Sequence, residues 1–429
     1  MAFVVMGVFM LLVARRYFRN EYTVGLILAY SLVSPHIQIA NKKIDSIYIV
    51  LIILFLLQIV KNKGKLLLSC TLCKYYTFIF FVYIIYFISW ILFNRNNSAD
   101  MIQIYLGAVK WILYLQLCYQ MNSEIDLITL HNEVFKMITI ISVINFCFVV
   151  IQKTNANLGL SLIGSLQSNA SYMYALNRDT INASGFRRCF GIMAYPMNLG
   201  MFSALAIAYL AVYNTTRIRM MMLICMNVFT GVLSATKSFF LGIILLFFIF
   251  LIFSFYLDGG AKKRTIKYGC VSIIIILFCL VNFDNIYIFF YTRLGPNYAR
   301  YWGLLRDFSS IFLGRYSANA KDLSYMPSFL KEYWFLGAGP VSITDEAIMD
   351  SALYVILHGG GVLLFVIVVA YYAKMLFLTY KYKDKESFTL LLMVLLFGAG
   401  FNTWISSEIS MWIIYFILAN QEKYRLGAK

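Results

Sequence analysis

The chain has 429 residues, of which 62% are hydrophobic and 13% charged, and its formal net charge is +17 at pH 7. Soluble chains carry roughly 25% charged residues. A mean hydropathy of +0.77 therefore excludes a soluble globular enzyme, a disordered chain and a nucleic-acid-binding domain. The surplus of 36 Lys and Arg over 19 Asp and Glu is typical of membrane topology, because cytoplasmic loops retain basic residues. We expect an all-α polytopic integral membrane protein that forms one membrane domain, residues 1–429.

Apolar segments recur along the whole chain, and a membrane span takes about 20 mostly apolar residues. In chain order they cover residues 2–14, 22–40, 46–60, 75–93, 101–119, 134–152, 192–213, 217–236, 238–257, 268–289, 350–371, 387–404 and 408–420. The first and the last are short, so the sequence predicts twelve to thirteen transmembrane helices. Two long polar loops, 153–191 and 290–349, interrupt the series.

The basic residues of the short loops predict the orientation. If the segments cross alternately, twenty of the 36 basic residues and the C-terminus fall on one face, which we assign to the cytoplasm. Both long loops then lie on the outer face. The fourteen outer basic residues include eight Arg, whereas the inner twenty include seven. Arg forms a planar fork that suits phosphate and carboxylate, so the outer Arg residues are candidates for binding an anion.

The first candidate motif is the sequence GFRRCFG at residues 185–191, which precedes AYPMNLG at residues 194–200. The chain re-enters the membrane here, and Pro and Gly loosen the first turns of the next span. Irregular backbone at membrane depth is tolerated where it lines a cavity. Arg187 and Arg188 are therefore candidates for contacting an anionic group at the headgroup level. The alternative is interfacial anchoring by long side chains that reach the headgroups.

The second candidate region is the larger outer loop, where Arg293, Arg300 and Arg306 are interleaved with Tyr and Trp. Guanidinium groups suit phosphate and aromatic faces suit sugar, so the mixture favours a sugar-phosphate ligand. The alternative is a loop that folds on itself through Arg–aromatic stacking. Arg315 follows in the same loop, and residues 337–339 (Gly-Ala-Gly) resemble a phosphate-cradling turn.

The third candidate region joins the end of this loop to the next span. If a helix begins near Asp350, then Asp350, Tyr354 and His358 share one face. His358 would lie roughly 12 Å below Asp350, at 1.5 Å per residue, inside the outer half of the membrane. An ionisable group at that depth is by default a functional candidate. The alternatives are a helix–helix hydrogen bond for His358 and N-capping for Asp350.

Other chemistries have no motif in this sequence. The outer segments contain no Asp-x-Asp sequence and no cluster of His and Cys, so nothing predicts a metal site or a cofactor. A Walker loop and a Ser-centred nucleophile motif are absent too.

The order of short motifs resembles that of the O-antigen polymerase (Wzy) family, within the broader group that includes O-antigen ligases. The resemblance covers most of the chain. It rests on Arg188-Cys189-Phe190-Gly191 before Pro196 and Asn198, on the sequence SATKS at residues 234–238, on Arg315 about twenty residues before Gly337, and on Asp350, Tyr354 and Gly359-Gly360.

The resemblance implies a metal-independent glycosyltransferase of the bacterial inner membrane, with its long loops in the periplasm. Its substrate would be an undecaprenyl-pyrophosphate-linked oligosaccharide, and a separate co-polymerase would set the chain length. Arg188 and Arg315 would stabilise the pyrophosphate leaving group, and His358 or Asp350 would act as the base. Arg187, Arg293, Arg300, Arg306 and Tyr354 would bind substrate.

Three alternatives remain open at this point. An O-antigen ligase shares the architecture but transfers finished polymer to the lipid A core. A flippase or another transporter is expected to show intramembrane charges and repeat symmetry, neither of which is evident in the sequence. A membrane scaffold without enzymatic activity is the third.

Overall fold

The structure is a computed structural model. It describes residues 2–16, 23–33, 35–39, 42–65, 68–93, 98–122, 127–166, 181–182, 185–186, 188–193, 195–212, 217–256, 278, 281–294, 299, 302–303, 321–339, 351–398, 403–405 and 408–427.

Helices account for nearly all of this structure. In chain order they are α1 (Ala2–Arg16), α2 (Thr23–Val33), α3 (Ser46–Lys61), α4 (Cys70–Phe93), α5 (Ser98–Asn122), α6 (Leu127–Thr154), α7 (Ala156–Leu166), α8 (Pro196–Val212), α9 (Arg217–Ser234), α10 (Lys237–Tyr256), α11 (Phe283–Phe289), α12 (Lys321–Tyr333), α13 (Ala352–Lys381), α14 (Lys385–Phe397) and α15 (Glu408–Gly427). One π-helical turn, Phe290–Leu294, continues α11.

Two short antiparallel hairpins are the exceptions to the helical pattern. Strand β1 (His36–Ile39) pairs with β2 (Lys42–Asp45), with His36 opposite Asp45. Strand β3 (Ile181–Asn182) pairs with β4 (Gly185–Phe186), with Ile181 opposite Phe186. The expected all-α class is thus confirmed for the described part of the chain, apart from these hairpins.

Within the described residues, three helices are long and apolar enough to cross a membrane: α4, α6 and α13, with mean hydropathies of 2.1, 2.4 and 2.5 over their most apolar windows. Their outward faces carry large apolar side chains, among them Phe80, Ile144 and Val366. Several shorter helices are apolar as well. Large apolar side chains on an outward face are stable when lipid or another protein covers them and excludes water. This surface is therefore compatible with a bilayer.

Helices α8 and α15 form the centre of the bundle. In α15 every residue from Ile409 to Glu422 is buried, and in α8 every residue from Leu199 to Leu210 is buried. A helix that is buried on all sides is surrounded by other helices. Trp412 and Phe416 are the largest fully buried side chains of α15, and the α8 side chain Tyr209 stacks edge-on against Phe416.

Helix ends gather at one end of the bundle, which we call the site end. Among the described helices, α6, α9 and α14 finish there, and α8, α10 and α13 begin there. The backbone N–H of Cys189, just before α8, donates to the carbonyl of Leu233 at the end of α9. The N–H of Ala352 donates to the carbonyl of Gly398, just after α14. The opposite end, where α13 and α15 finish and α4 and α14 begin, is called the basic end.

Candidate functional site

Two amide side chains of α6 hold an irregular segment, residues 188–193, at the site end. The Gln152 Oε1 atom accepts the N–H groups of Phe190 and Gly191, both at 3.0 Å, and its Nε2 donates to the Gly191 carbonyl at 2.7 Å. Asn145 Oδ1 accepts the N–H of Ile192 at 3.1 Å. Both amides are buried. Buried backbone groups must find partners, and here the side chains supply what a helix would otherwise supply.

Arg188 lies in this clamped segment between fully buried side chains. Phe186, Cys189 and Phe190 are buried completely, whereas Arg188 is half-buried. The rings of Phe186 and Phe190 pack edge-on, 5.7 Å apart. The buried neighbours fix the backbone at Arg188, so its guanidinium is presented from a defined position. Burial also raises the pKa of the Cys189 thiol to about 12.

The beginning of α8 packs closely against the turn between α9 and α10. A Cβ atom at Gly200 would lie 2.0 Å from Thr236 Oγ1, so this contact requires glycine. The hydroxyls of Ser234 and Thr236 are 3.0 Å apart, and Ala235 between them has a φ of +46°. The turn therefore brings the SATKS sequence next to the helix that follows Arg188.

Helix α13 is broken at Gly361, and a loop fills the break. Gly361 has φ +62° and ψ −160°, which is not helical. The N–H groups of Val362 and Leu363 donate to the carbonyls of Trp334 and Phe335, at 2.8 and 3.2 Å. These N–H groups open the second half of the helix and would otherwise lack partners. The loop that follows α12 thus completes the hydrogen bonding of α13.

His358 lies one turn before this break and is 9% exposed. Its ring stacks on Phe329 of α12, with centroids 4.4 Å apart and an angle of 14° between the planes. Its Nδ1 atom is 3.2 Å from the Gly339 carbonyl oxygen. Because a carbonyl only accepts, this hydrogen bond assigns the proton to Nδ1 and makes Nε2 the unprotonated nitrogen of the neutral ring.

Tyr354 lies one turn before His358 on the same helix, as the sequence spacing predicts. It is buried in a small cluster with Phe329, Tyr333 and Ala338. Its ring is therefore covered by α12 and by the loop after it, not open to a substrate. The helix begins at Ala352 with Ser351 at the N-cap, so Asp350 does not cap it. Asp350 itself lies outside the described residues.

Most of the arginines singled out in the sequence fall outside the described residues: Arg187, Arg300, Arg306 and Arg315. Arg293 is described and is exposed on the π-helical turn. Nearby, Trp302 stacks on Phe283 at 5.5 Å and contacts Phe290 at 5.7 Å. No described contact joins this region to Arg188 or His358.

The comparison of residues 337–339 with a phosphate-cradling turn is not supported by the geometry. The N–H of Gly337 donates to the Tyr333 carbonyl at 2.9 Å, and that of Ala338 donates to the His358 carbonyl at 2.7 Å. Both donors are thus used by the protein itself. A Cβ atom at Gly337 would lie 2.4 Å from the His358 carbonyl oxygen, so the glycine serves close packing against α13.

The sequence did not predict that the Asn145 and Gln152 amides hold residues 188–193. Asn145 and Gln152 are seven residues apart and share one face of an otherwise apolar helix, which was the available signal. It also missed the break-filling role of the loop after α12. Within the described ranges, no three His, Cys, Asp or Glu side chains lie close enough to hold a metal ion.

The segment that carries Arg188 and the surroundings of His358 are the two centres of the candidate site. Both lie at the site end, and packed helices connect them. Ser351, at the start of α13, donates through its hydroxyl to the Gly398 carbonyl at 3.3 Å. Phe397, next to it, packs against Gly242 of α10, the helix that follows the Ser234–Thr236 turn. A cationic side chain and an imidazole, each on backbone held by buried contacts, are thus available at the site end.

The fold and these centres define a class: an α-helical protein with helices long and apolar enough to cross a membrane, and with two irregular segments held inside the helix bundle. No family model matches the chain, and no curated protein is significantly similar to it.

Proposed function

We propose that the chain crosses the bacterial inner membrane twelve to thirteen times, with the site end in the periplasm and the C-terminus in the cytoplasm. In chain order α6 ends, α8 begins, α9 ends and α10 begins at the site end, and α13 begins and α14 ends there. Lys374, Lys381, Lys383 and Arg425 lie at the basic end, on the side where basic residues are retained during insertion. Under this topology the loops 153–191 and 290–349 are both periplasmic.

The proposed activity is polymerisation of undecaprenyl-pyrophosphate-linked oligosaccharide repeat units into O-antigen or a similar surface polysaccharide. The observation that carries this proposal is the pairing of two irregular segments at the site end, one bearing Arg188 and the other packed against His358. Substrates whose lipid tails stay in the bilayer must react at such an interface. The motif order that resembles the polymerase family runs through the same two segments.

The proposed reaction is a glycosyl transfer. The bond between the anomeric carbon of the donor and its pyrophosphate oxygen breaks, and undecaprenyl pyrophosphate leaves with the bonding electrons. The acceptor hydroxyl oxygen forms the new bond to that carbon and loses its proton to a base. Arg188 and Arg315 would stabilise the charge that develops on the leaving group, because preorganised donors act most strongly where water is excluded.

His358 is the described candidate for the base, because Nε2 is the unprotonated nitrogen when Nδ1 donates to Gly339. Asp350 is the second candidate. Arg187, Arg293, Arg300 and Arg306 are proposed to contact the pyrophosphate or the sugars. Tyr354 is proposed to position His358 and not to bind substrate, because its buried ring packs against Phe329, on which His358 stacks.

Deletion of the gene in the source bacterium tests this activity. The lipopolysaccharide is separated by gel electrophoresis, and the proposal expects core carrying a single repeat unit in place of a ladder. Core alone would point to a ligase or a flippase and would contradict polymerisation. An unchanged ladder would contradict every role in this pathway.

A further inference from the structure

A cleft opens at the basic end, between helices α4, α13 and α15, far along the bundle from the site end. Its volume is about 130 Å³. Three basic side chains line it, one from each helix: Lys74, Lys374 and Arg425. None of these three residues has a role in the proposed glycosyl transfer.

The described lining of the cleft includes three basic side chains and no Asp or Glu. Within the described part of the chain, neither Lys74 nor Lys374 has an ion-pair or hydrogen-bond partner. Glu422 is a carboxylate close to the cleft, and its Oε2 lies 4.0 Å from an Arg425 nitrogen. The same oxygen also accepts the backbone N–H of Thr71, at 3.3 Å, and the Thr71 hydroxyl, so its charge is shared with the start of α4.

A second and independent observation points to a ligand. Gln421 lines the cleft and is only 6% exposed, yet its Nε2 atom is buried with no hydrogen-bond partner in the described structure. A buried amide donor without a partner costs roughly 1–3 kcal/mol. An acceptor oxygen in the cleft would remove that cost.

The position and the lining of the cleft match a lipid headgroup. The apolar segments predicted from sequence end at residue 371, begin at residue 75 and end at residue 420, so all three basic residues lie just beyond them. Met375, Leu378 and Leu418 line the same cleft and provide apolar surface. Basic pockets between helices on the cytoplasmic side are sites for phosphate-bearing headgroups.

We propose that this cleft binds the phosphate headgroup of an anionic phospholipid from the cytoplasmic leaflet. Lys74 and Lys374 pair with the phosphate, Gln421 donates to one of its oxygens, and Arg425 bridges the lipid and Glu422. The inference rests on the proposed membrane topology but not on the polymerase activity. A failure of one therefore leaves the other standing.

The test uses the purified, delipidated full chain in detergent, titrated with phosphatidylglycerol, and follows the rise in the temperature of thermal unfolding. The variant Lys74→Gln/Lys374→Gln is expected to need roughly thirtyfold more lipid for half of the rise, since each surface lysine contributes about 1 kcal/mol to such binding. The variant Gln421→Met keeps the charge and removes the donor, and it is expected to need about fivefold more.

The control is Lys65→Gln/Lys381→Gln, which removes the same charge from exposed positions on the same face that do not line the cleft. It is expected to bind as the unchanged protein does. Equal loss in both double variants would reduce the effect to general surface charge and overturn the proposal. Equal stabilisation by phosphatidylcholine would overturn it as well, and equal stabilisation by millimolar inorganic phosphate would assign the cleft to a soluble anion instead.

Discussion

Asn145 and Gln152 determine the conformation of the segment that carries Arg188. Together they satisfy three backbone N–H groups and one carbonyl. Each buried backbone group left without a partner costs roughly 1–3 kcal/mol, so this segment depends on two side chains. The sequence shows that both amides share a helix face. It does not show their partners, because these lie 38 to 47 residues further along the chain, beyond a loop with no periodic pattern.

Cys189 reports directly on the packing of this segment. Because burial raises the pKa of its thiol to about 12, the reactive thiolate fraction near pH 8 is roughly a thousandfold below that of an ordinary thiol. We expect Cys189 to resist alkylation by N-ethylmaleimide in the folded protein and to react only after denaturation. Raising the pH to about 9 is expected to leave it unreactive, since it stays far below the raised pKa.

Peptide mass spectrometry of the labelled protein measures this, with the exposed Cys73 as the internal control. Cys73 is expected to react in the folded state. Labelling of Cys189 at the rate of Cys73 would mean that the segment around Arg188 is open to solvent, contrary to the described packing.

The break in α13 is an element-scale feature that glycine makes possible. The run Gly359-Gly360-Gly361 predicts a weak point in the helix, and the structure locates the break at Gly361. What the sequence could not indicate is that residues 334–339 enter the break. That pairing depends on carbonyl groups of a distant loop, which are present in any sequence. The N–H groups of Gly337 and Ala338 likewise donate within the protein, so they do not form the phosphate-cradling turn that residues 337–339 resemble in sequence.

Replacing Gly361 by Ala is expected to destabilise the protein by roughly 2–4 kcal/mol. A residue with a side chain at φ +62° is strained, and the added Cβ would lie 2.3 Å from the Phe335 carbonyl oxygen. The measurement is the temperature at which the detergent-solubilised protein loses its monodisperse peak in size-exclusion chromatography.

The matched control is Gly107→Ala in α5, where a Cβ would meet nothing within 4 Å. This change is expected to be neutral or mildly stabilising, because Ala favours a helix more than Gly does. Equal unfolding temperatures for the two variants would show that residues 334–339 do not fill the break in α13.

At the scale of the whole molecule, hydrophobic length predicts most of the helices. The predicted segment at 75–93 corresponds to Cys70–Phe93, and the one at 350–371 corresponds to Ala352–Lys381. The second helix continues ten residues past the predicted limit, through a stretch in which Lys374 and Lys381 are interspersed with apolar and aromatic residues. The extra turns contribute Lys374 to the basic cleft.

The packing order of the helices could not be predicted. From sequence, α15 corresponds only to the short apolar segment 408–420. In the structure this helix is buried at the centre of the bundle, beside α8. Apolar side chains facing lipid and apolar side chains facing other helices look alike in composition, so hydropathy alone cannot rank helices by burial. Of the candidate site, helix position and the Tyr354–His358 face were predictable, but the hydrogen-bond partners were not.

The central proposal is that Arg188 and Arg315 stabilise the leaving group of the proposed glycosyl transfer. Its most direct test is to express Arg188→Ala and Arg315→Ala separately in the deletion strain and to compare the lipopolysaccharide ladders. Arg219→Ala, which removes an exposed arginine at the basic end, is the matched control, and membrane levels of each variant are measured by immunoblot. We expect core with a single repeat unit for Arg188→Ala and for Arg315→Ala, and a full ladder for Arg219→Ala. Full-length ladders from both Arg188→Ala and Arg315→Ala would contradict it.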